Sequence, residues 1–141
     1  MDITEIADRL EIAELLARYA TAVDRTDWVL YRSLFTEDAR IDYTSAGGEA
    51  GNLDEIVDFL DRSMSMFSDT QHFISNLIID IDGDTARATA AVFNPMRFSD
   101  DNGFSCGGYY HHDLVRTPEG WRSTGLVEEA TWFDGIPKPH P

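Results

Sequence analysis

The chain has 141 residues, 43% of them apolar, a length that fits one domain over residues 1–141. Its 26 acidic and 11 basic residues give a formal net charge of −15, which argues against binding nucleic acid or anionic membrane surfaces. Cys106 is the only cysteine, so an intrachain disulfide and a thiolate metal cluster are excluded. No stretch approaches the roughly 18 apolar residues of a membrane span, and the acidic N-terminus is unlike a signal peptide. A cytoplasmic location is therefore expected.

The first half of the sequence predicts helices and one short strand. Apolar residues recur at three- and four-residue spacing in the first segment, which is typical of an amphipathic helix, and the segment Asp24–Trp28 interrupts it. Asn52 follows a glycine-rich connector and is a good N-cap for the last helix. The predicted elements are helices over 3–23, 28–35 and 53–67, a turn over 36–39 and a short strand over 39–43.

The second half of the sequence changes to strand patterns. The dipeptide Asp82-Gly83 is a strong hairpin signal, and two further turns, SDDNGF and TPEG, separate the remaining strands. The predicted strands cover 72–81, 85–98, 105–117 and 121–133. The proline-rich tail, DGIPKPHP, is predicted to be extended.

This order predicts an α+β fold in which the helices are segregated from an antiparallel sheet. Three successive hairpins form a meander of long strands, and such a sheet can curl around the N-terminal helices. The concave side of the curled sheet then leaves a pocket that is open at one end.

The order of elements and the words within it resemble the NTF2-like superfamily, and within it the SnoaL-like group. The matching words are IAELLARYATAVDRTDW, LFTEDARID, TQHFISNLIIDIDGDTARATA and GGYYHHDLVRTPEGWR, which together span most of the chain. That group includes scytalone dehydratase, lindane dehydrochlorinase and polyketide cyclases and, more distantly, ketosteroid isomerase. The resemblance implies a cone-shaped barrel with a hydrophobic pocket and a homodimer formed through the outer face of the sheet. It specifies the reaction far less than the fold, because this fold hosts many chemistries.

In the dehydratase and dehydrochlorinase branch, an aspartate after the first helix pairs with a histidine at the start of the first long strand. The resemblance places these roles on Asp24 and His72. A carboxylate bonded to one ring nitrogen would fix the tautomer and raise the basicity of the other nitrogen. The alternatives are a solvent-facing carboxylate at a helix end and a strand-end histidine bonded to backbone.

The segment YYHH, residues 109–112, offers a third candidate catalytic residue. Strand residues alternate faces, so Tyr110 and His112 share one face while Tyr109 and His111 share the other. The family pattern puts a tyrosine at Tyr110 with a polar residue two places on. We therefore expect Tyr110 to be catalytic and His112 to face the pocket, unless a bulge shifts the alternation. The alternative is a pair of half-exposed rings at a dimer surface.

The histidines and Asp24 could instead form a metal site. Adjacent histidines on a strand point to opposite faces, so at most one of His111 and His112 joins His72 and Asp24 in a facial triad. The resembling family mostly works without a metal or an organic cofactor, and neither is predicted here.

Several aromatic side chains are predicted to contact a substrate, although most aromatic residues at such spacing belong to a core. Two asparagines in apolar strands, Asn76 and Asn94, are each interpreted as either an inward hydrogen-bonding group or an outward amide. The predicted substrate-binding residues are Tyr19, Trp28, Tyr43, Phe93, His112 and Trp132.

The functional hypothesis is a cofactor-independent lyase or isomerase that acts on a small, mostly apolar, cyclic or aromatic molecule. His72, held by Asp24, would abstract a proton, and a tyrosine would stabilise the developing negative charge. Elimination of water is favoured over enolisation and ring closure. The alternatives are a non-catalytic ligand-binding or dimerisation module and an accessory subunit of a ring-hydroxylating dioxygenase.

Overall fold

The computed structural model describes residues 1–135, so the predicted extended tail lies largely outside the described residues. Three helices lie against one curled sheet of seven strands. The helices are α1 (Ile3–Asp24), α2 (Trp28–Ser33) and α3 (Leu53–Met64). The strands are β1 (Phe35–Asp42), β2 (Ala50–Asn52), β3 (Phe67–Thr70), β4 (Phe73–Asp82), β5 (Thr85–Phe98), β6 (Gly103–Thr117) and β7 (Gly120–Asp134).

The predicted α+β architecture is confirmed, and so is the meander formed by β4 to β7. The sheet order is β2-β1-β7-β6-β5-β3, with β4 also paired to β5. The sheet is mixed rather than purely antiparallel, because β1 runs parallel to β7. The predicted turn over 36–39 is wrong, since β1 already begins at Phe35. The short strands β2 and β3 were not predicted.

The ends of the helices follow from local chemistry. Asp2 caps α1 by accepting from the Glu5 N–H, and Asn52 caps α3 within a capping box completed by Glu55. At its other end α1 finishes at Asp24, with no basic residue in its last turn. An acidic side chain there faces the negative end of the helix dipole, which is unfavourable by about 0.3–1 kcal/mol.

The core lies between α1 and the concave face of the sheet. On one half of β5, the small residues Ala86, Ala88 and Ala90 are buried and belong to this core. The other half carries Val92 and Asn94 on the same face. Of these two residues, Asn94 lines a cavity that also borders Val23 near the end of α1. No helix within residues 1–135 is long and apolar enough to cross a membrane.

Candidate active site

A cavity of about 320 Å³ lies between the end of α1, α3 and the concave face of the sheet. This volume is at the small end of the range for ligand pockets. Its walls are mostly apolar, with a few polar groups placed among them. The apolar lining includes Val23, Phe59, Leu60, Met64, Phe67 and Phe133. The polar lining includes Tyr19, Tyr43, His72, Asn94, Tyr110 and Glu128.

Asp24 and His72 are brought together as a dyad at one side of this cavity. The His72 ring Nδ1 lies 2.6 Å from Asp24 Oδ1, and the His72 backbone N–H donates to Asp24 Oδ2 at 2.8 Å. The Thr70 hydroxyl donates to Asp24 Oδ1 at 3.0 Å. The chain between β3 and β4 therefore turns towards the end of α1 and presents three donors to one carboxylate.

These contacts define the charge state of Asp24. Burial raises the pKa of Asp24, but the hydrogen bonds from His72 and Thr70 and the attraction of the imidazole outweigh it, so the pKa lies below its ordinary value. An ionised carboxylate can only accept, so the neutral ring carries its proton on Nδ1 and its lone pair on Nε2. Within residues 1–135, no hydrogen bond engages Nε2, and the ring lines the cavity. The arrangement can take a proton from a molecule bound there.

A cluster of four tyrosines adjoins the cavity, which Tyr19, Tyr43 and Tyr110 line and which the fully buried Tyr31 does not reach. The Tyr43 hydroxyl lies 2.5 Å from that of Tyr19 and 2.9 Å from that of Tyr31. The Tyr110 ring packs edge-on against Tyr19 at 5.2 Å between centroids. Burial raises the pKa of all four phenols well above its ordinary value, and their mutual proximity adds to the effect for Tyr19. All four remain protonated at neutral pH, and the three that line the cavity can donate to an oxygen atom there.

Glu128 stands beside Tyr110 and was not predicted as a site residue. The two residues face each other in the ladder between β6 and β7, and both line the cavity. Burial raises the pKa of Glu128 to about 7; a hydrogen bond with Tyr110 opposes the shift and the charge of Asp42 adds to it. At neutral pH a large share of Glu128 therefore carries a proton. No sequence motif marks it, although it is a carboxylate two residues from Leu126 in an apolar strand.

Asn94 points inwards, which decides between the two interpretations of the asparagines. Its side chain is 7% exposed and lines the cavity, while Asn76 is exposed at an irregularity of β4. Its Oδ1 finds no hydrogen-bond donor among residues 1–135. A buried acceptor without a donor is costly, so a bound molecule with a hydroxyl or amine would complete it.

His112 shares the concave face with Tyr110, as predicted, but does not reach the cavity. Its Nδ1 pairs with the Ser123 hydroxyl at 2.9 Å, and the rings of Tyr19 and Phe35 pack against it. Burial, with a smaller contribution from His111, lowers the pKa of His112 to about 3, so the ring is neutral. The prediction that it contacts a substrate is corrected on these grounds.

Three more predicted lining residues lie outside the cavity. Trp28 donates its ring N–H to Asp61 at 3.0 Å at the start of α2. Phe93 and Trp132 are 45% and 44% exposed on the outer face of the sheet, where their rings stack at 6.0 Å. Phe93 alternates with the inward residue Asn94, which places it outside. Trp132 is turned outwards by a bulge in β7, and the inward position falls to the next residue, Phe133.

The facial triad weighed for a metal is not assembled. No group of three or more His, Cys, Asp or Glu side chains within residues 1–135 is placed to hold a metal ion. His111 lies on the outer face, where its Nε2 pairs with Glu129 at 2.8 Å.

The glycine-rich connector also has a place in the site. The glycine-rich pattern of residues 45–52 predicts a plain connector, but Ala46, Gly47 and Gly48 line the cavity. The hydroxyl of Ser45 accepts from the Ala130 N–H and donates to the Glu128 carbonyl, which fastens the connector to β7 beside Glu128. These contacts are long-range, and no local pattern predicts them.

Comparison with known proteins is informative about the family. A family model described as a SnoaL-like domain matches residues 4–126. An uncharacterized protein of Mycobacterium tuberculosis is 39% identical over 130 residues, covering 91% of this chain and 88% of that protein. That protein is uncharacterized, so the similarity shows a family relationship but does not indicate a reaction.

Two solved structures from Novosphingobium aromaticivorans are similar across nearly the whole chain. One, described as a candidate aromatic ring hydroxylase, is 29% identical with a TM-score of 0.86, covering 93% of this chain and 94% of that chain. The other, described as a candidate scytalone dehydratase, is 20% identical with a TM-score of 0.87, covering 99% of this chain and 94% of that chain. The second likeness concerns the fold, and it confirms the predicted cone-shaped NTF2-like arrangement.

Proposed function

Because the chain belongs to the SnoaL-like domain family, we propose that it is a cofactor-independent lyase that eliminates water from a small, mostly apolar molecule. The observation that carries the proposal is the His72–Asp24 dyad, which presents an unengaged ring nitrogen to a largely apolar cavity. The resemblance to the dehydratase branch supports the same reaction class.

The reaction begins at His72. Its Nε2 removes a proton from the carbon next to a substrate carbonyl, and Asp24 stabilises the imidazolium that forms. Asp24 acts as a positioning residue, because its bonds to the ring and to the backbone N–H hold the imidazole in one orientation. A correctly placed general base contributes about 10²–10⁴-fold to a rate.

The tyrosines act on the oxygen of the substrate. Removal of the proton leaves negative charge on the carbonyl oxygen, and Tyr19, Tyr43 or Tyr110 donates a hydrogen bond to it. Their raised pKa values keep the phenolic protons in place as donors. A hydroxyl group on the neighbouring carbon then departs, and a conjugated double bond remains. Enolisation or ring closure would use the same base and the same donors.

The polar groups of the cavity also describe the substrate. The buried acceptor Asn94 Oδ1, which has no donor among residues 1–135, favours a hydroxyl or amine on the molecule. The Asp24 carboxylate behind the His72 ring and the net charge of −15 disfavour a carboxylate or phosphate. The cavity of about 320 Å³ suits a ring system of modest size. We infer a neutral, hydroxylated cyclic or aromatic ketone.

The test is turnover of such a ketone by purified protein. The aldol of benzaldehyde and acetone is a suitable probe, since its dehydration gives a conjugated ketone that absorbs in the near ultraviolet. We expect the wild type to accelerate this loss of water and His72→Ala to abolish the acceleration. Tight binding of hydroxylated aromatic ketones with no turnover of any of them would instead identify a ligand-binding module.

The hydroxylase likeness defines a second candidate to exclude. The similarity to a candidate aromatic ring hydroxylase fits the accessory subunit considered above. Such a subunit requires a partner chain for activity. Dehydration by the isolated protein therefore separates the lyase from the accessory subunit.

A further inference from the structure

We propose that Glu128 is a second catalytic group, the acid that delivers a proton to the departing hydroxyl while His72 removes one from carbon. The inference rests on the proposed function and names the other half of the same reaction.

Glu128 is placed to act on the same bound molecule as His72. Its side chain lines the same cavity as His72, but it comes from β7, whereas His72 precedes β4. The two groups therefore reach the cavity from different parts of the fold. The backbone around Glu128 is fixed by the ladder to Tyr110 and by the bridge through Ser45. A carboxyl held in this way can meet an oxygen atom of the substrate.

The surroundings of Glu128 keep it in its acid form. The charged and titratable groups that act on it are Asp42 on β1, Tyr43 just beyond β1, and Cys106 and Tyr110 on β6. None of them is a cation, and Asp42 is a half-buried carboxylate beside β7, in register with Val127. Burial raises the pKa of the Cys106 thiol to about 11, so this neighbour is neutral as well. Only the Tyr110 hydroxyl favours the ionised state of Glu128.

With Glu128 as the acid, every proton and electron pair of the elimination is accounted for. His72 Nε2 takes the proton from carbon, the electrons of the C–H bond form the double bond, and the C–O bond breaks. The leaving oxygen takes the proton of Glu128 and departs as water. The imidazolium and the carboxylate that remain exchange a proton through solvent after the product leaves, which restores both groups. The acid and the base have different surroundings, which is how enzymes separate two such roles.

The acid state is tested first without any ligand. Protein labelled with ¹³C at glutamate carboxyls is titrated by NMR as wild type, Glu128→Gln and Glu129→Gln. Glu129 is the matched control, because it is the next residue and faces the opposite side of the sheet. We expect one carboxyl to titrate near pH 7 and to vanish only in Glu128→Gln. Ordinary titration of every glutamate, near about pH 4–5, would overturn the proposal.

The catalytic role is tested with the aldol of benzaldehyde and acetone. We expect Glu128→Gln to slow its dehydration by about 10²-fold or more and to remove the loss of rate as pH rises through about 7, with partial recovery in Glu128→Asp. An unchanged rate in Glu128→Gln together with an inactive His72→Ala would reject the role of Glu128 and leave the lyase intact.

If no variant dehydrates the probe, binding of the intact aldol, which keeps its hydroxyl, decides. Wild-type affinity for the aldol should fall about tenfold as pH rises through 7, because the donor to its hydroxyl oxygen is lost, while Glu128→Gln should show no such fall. Flat and equal affinities, or no binding by either protein, would overturn the proposal.

Discussion

The carboxylate of Asp24 accepts both the ring and the backbone N–H of His72, at 2.6 and 2.8 Å. One acidic side chain therefore fixes the tautomer of the imidazole and the path of the chain that carries it. The cost of placing this carboxylate at the negative end of α1 is offset by its three donors. This arrangement leads to the first prediction.

Asp24→Asn should uncouple the imidazole while leaving the protein folded. An amide donates as well as accepts, so it no longer requires the proton on Nδ1 of His72. We expect turnover to fall by about 10²–10⁴-fold. The ¹⁵N shifts of the His72 ring should report a fixed Nδ1–H tautomer in the wild type and a mixture in the variant. His111→Gln, on the outer face, is the control and should change neither measurement. Full activity in Asp24→Asn would refute the dyad.

Tyr43→Phe should weaken folding more than Tyr31→Phe. The hydroxyl of Tyr43 is the centre of the cluster, so its loss leaves both Tyr19 and Tyr31 without that partner. Tyr31→Phe removes one contact only. Because these groups are buried, we expect Tyr43→Phe to lower the free energy of unfolding by about 1–3 kcal/mol. Urea denaturation of both variants measures the difference, and equal losses would contradict the prediction, because they would show that the contact between Tyr19 and Tyr43 adds nothing to stability.

Glu128 should make the protein less stable as pH rises. Its pKa is raised by folding from 4.5 to about 7, so the folded state binds more protons than the unfolded chain between these values. The contribution of this group to the free energy of unfolding is therefore highest below pH 4.5, and it falls by about 1–3 kcal/mol as the pH rises through about 7. Glu128→Gln stays neutral and should be more stable than the wild type near pH 8. Thermal unfolding at several pH values, with Glu129→Gln for comparison, checks the sign.

Much of this site is visible in the sequence. The helix that ends at Asp24 and the strand that begins after His72 both have clear periodicity, and the resemblance pairs the two residues. Tyr19 and Tyr43 were also predicted to line the pocket and do so. These successes depend on long, regular elements whose inward face can be counted.

The wrong predictions of which face a residue occupies concentrate where a β-bulge interrupts the alternation of side chains. In β7, Thr124 and Thr131 are extra residues without partners on β6, and each one reverses the side of the sheet that later residues face. Inward positions therefore pass from Ser123 to Leu126 and later to Phe133. The sequence of β7 contains no pattern that predicts these two bulges. For the same reason Trp132 was assigned to the wrong face.

The outer face of the sheet should form a dimer. Phe73, Phe93 and Trp132 are each 44–47% exposed and form a continuous stack, and the Trp132 ring lies against Gly107 where a larger residue would not fit. An exposed aromatic patch of this kind marks an interaction surface. We expect sedimentation at micromolar concentration to give a dimer in the wild type and a monomer in Phe93→Glu. Val29→Glu, exposed on α2, is the control. A monomeric wild type would contradict the prediction.

Asn94→Leu should separate ligand recognition from stability. The two side chains have similar shapes, and the substitution removes an acceptor that has no donor among residues 1–135. Folding should therefore be unaffected or improved, since the desolvation of Oδ1 no longer counts against it. Binding should change differently for two ligands of similar shape, β-naphthol and naphthalene. We expect the wild type to prefer the naphthol by about tenfold, a difference worth about 1.4 kcal/mol, and Asn94→Leu to lose that preference. If the preference survives in the variant, another group reads the hydroxyl, and Tyr110 and Glu128 are the neighbours to change next.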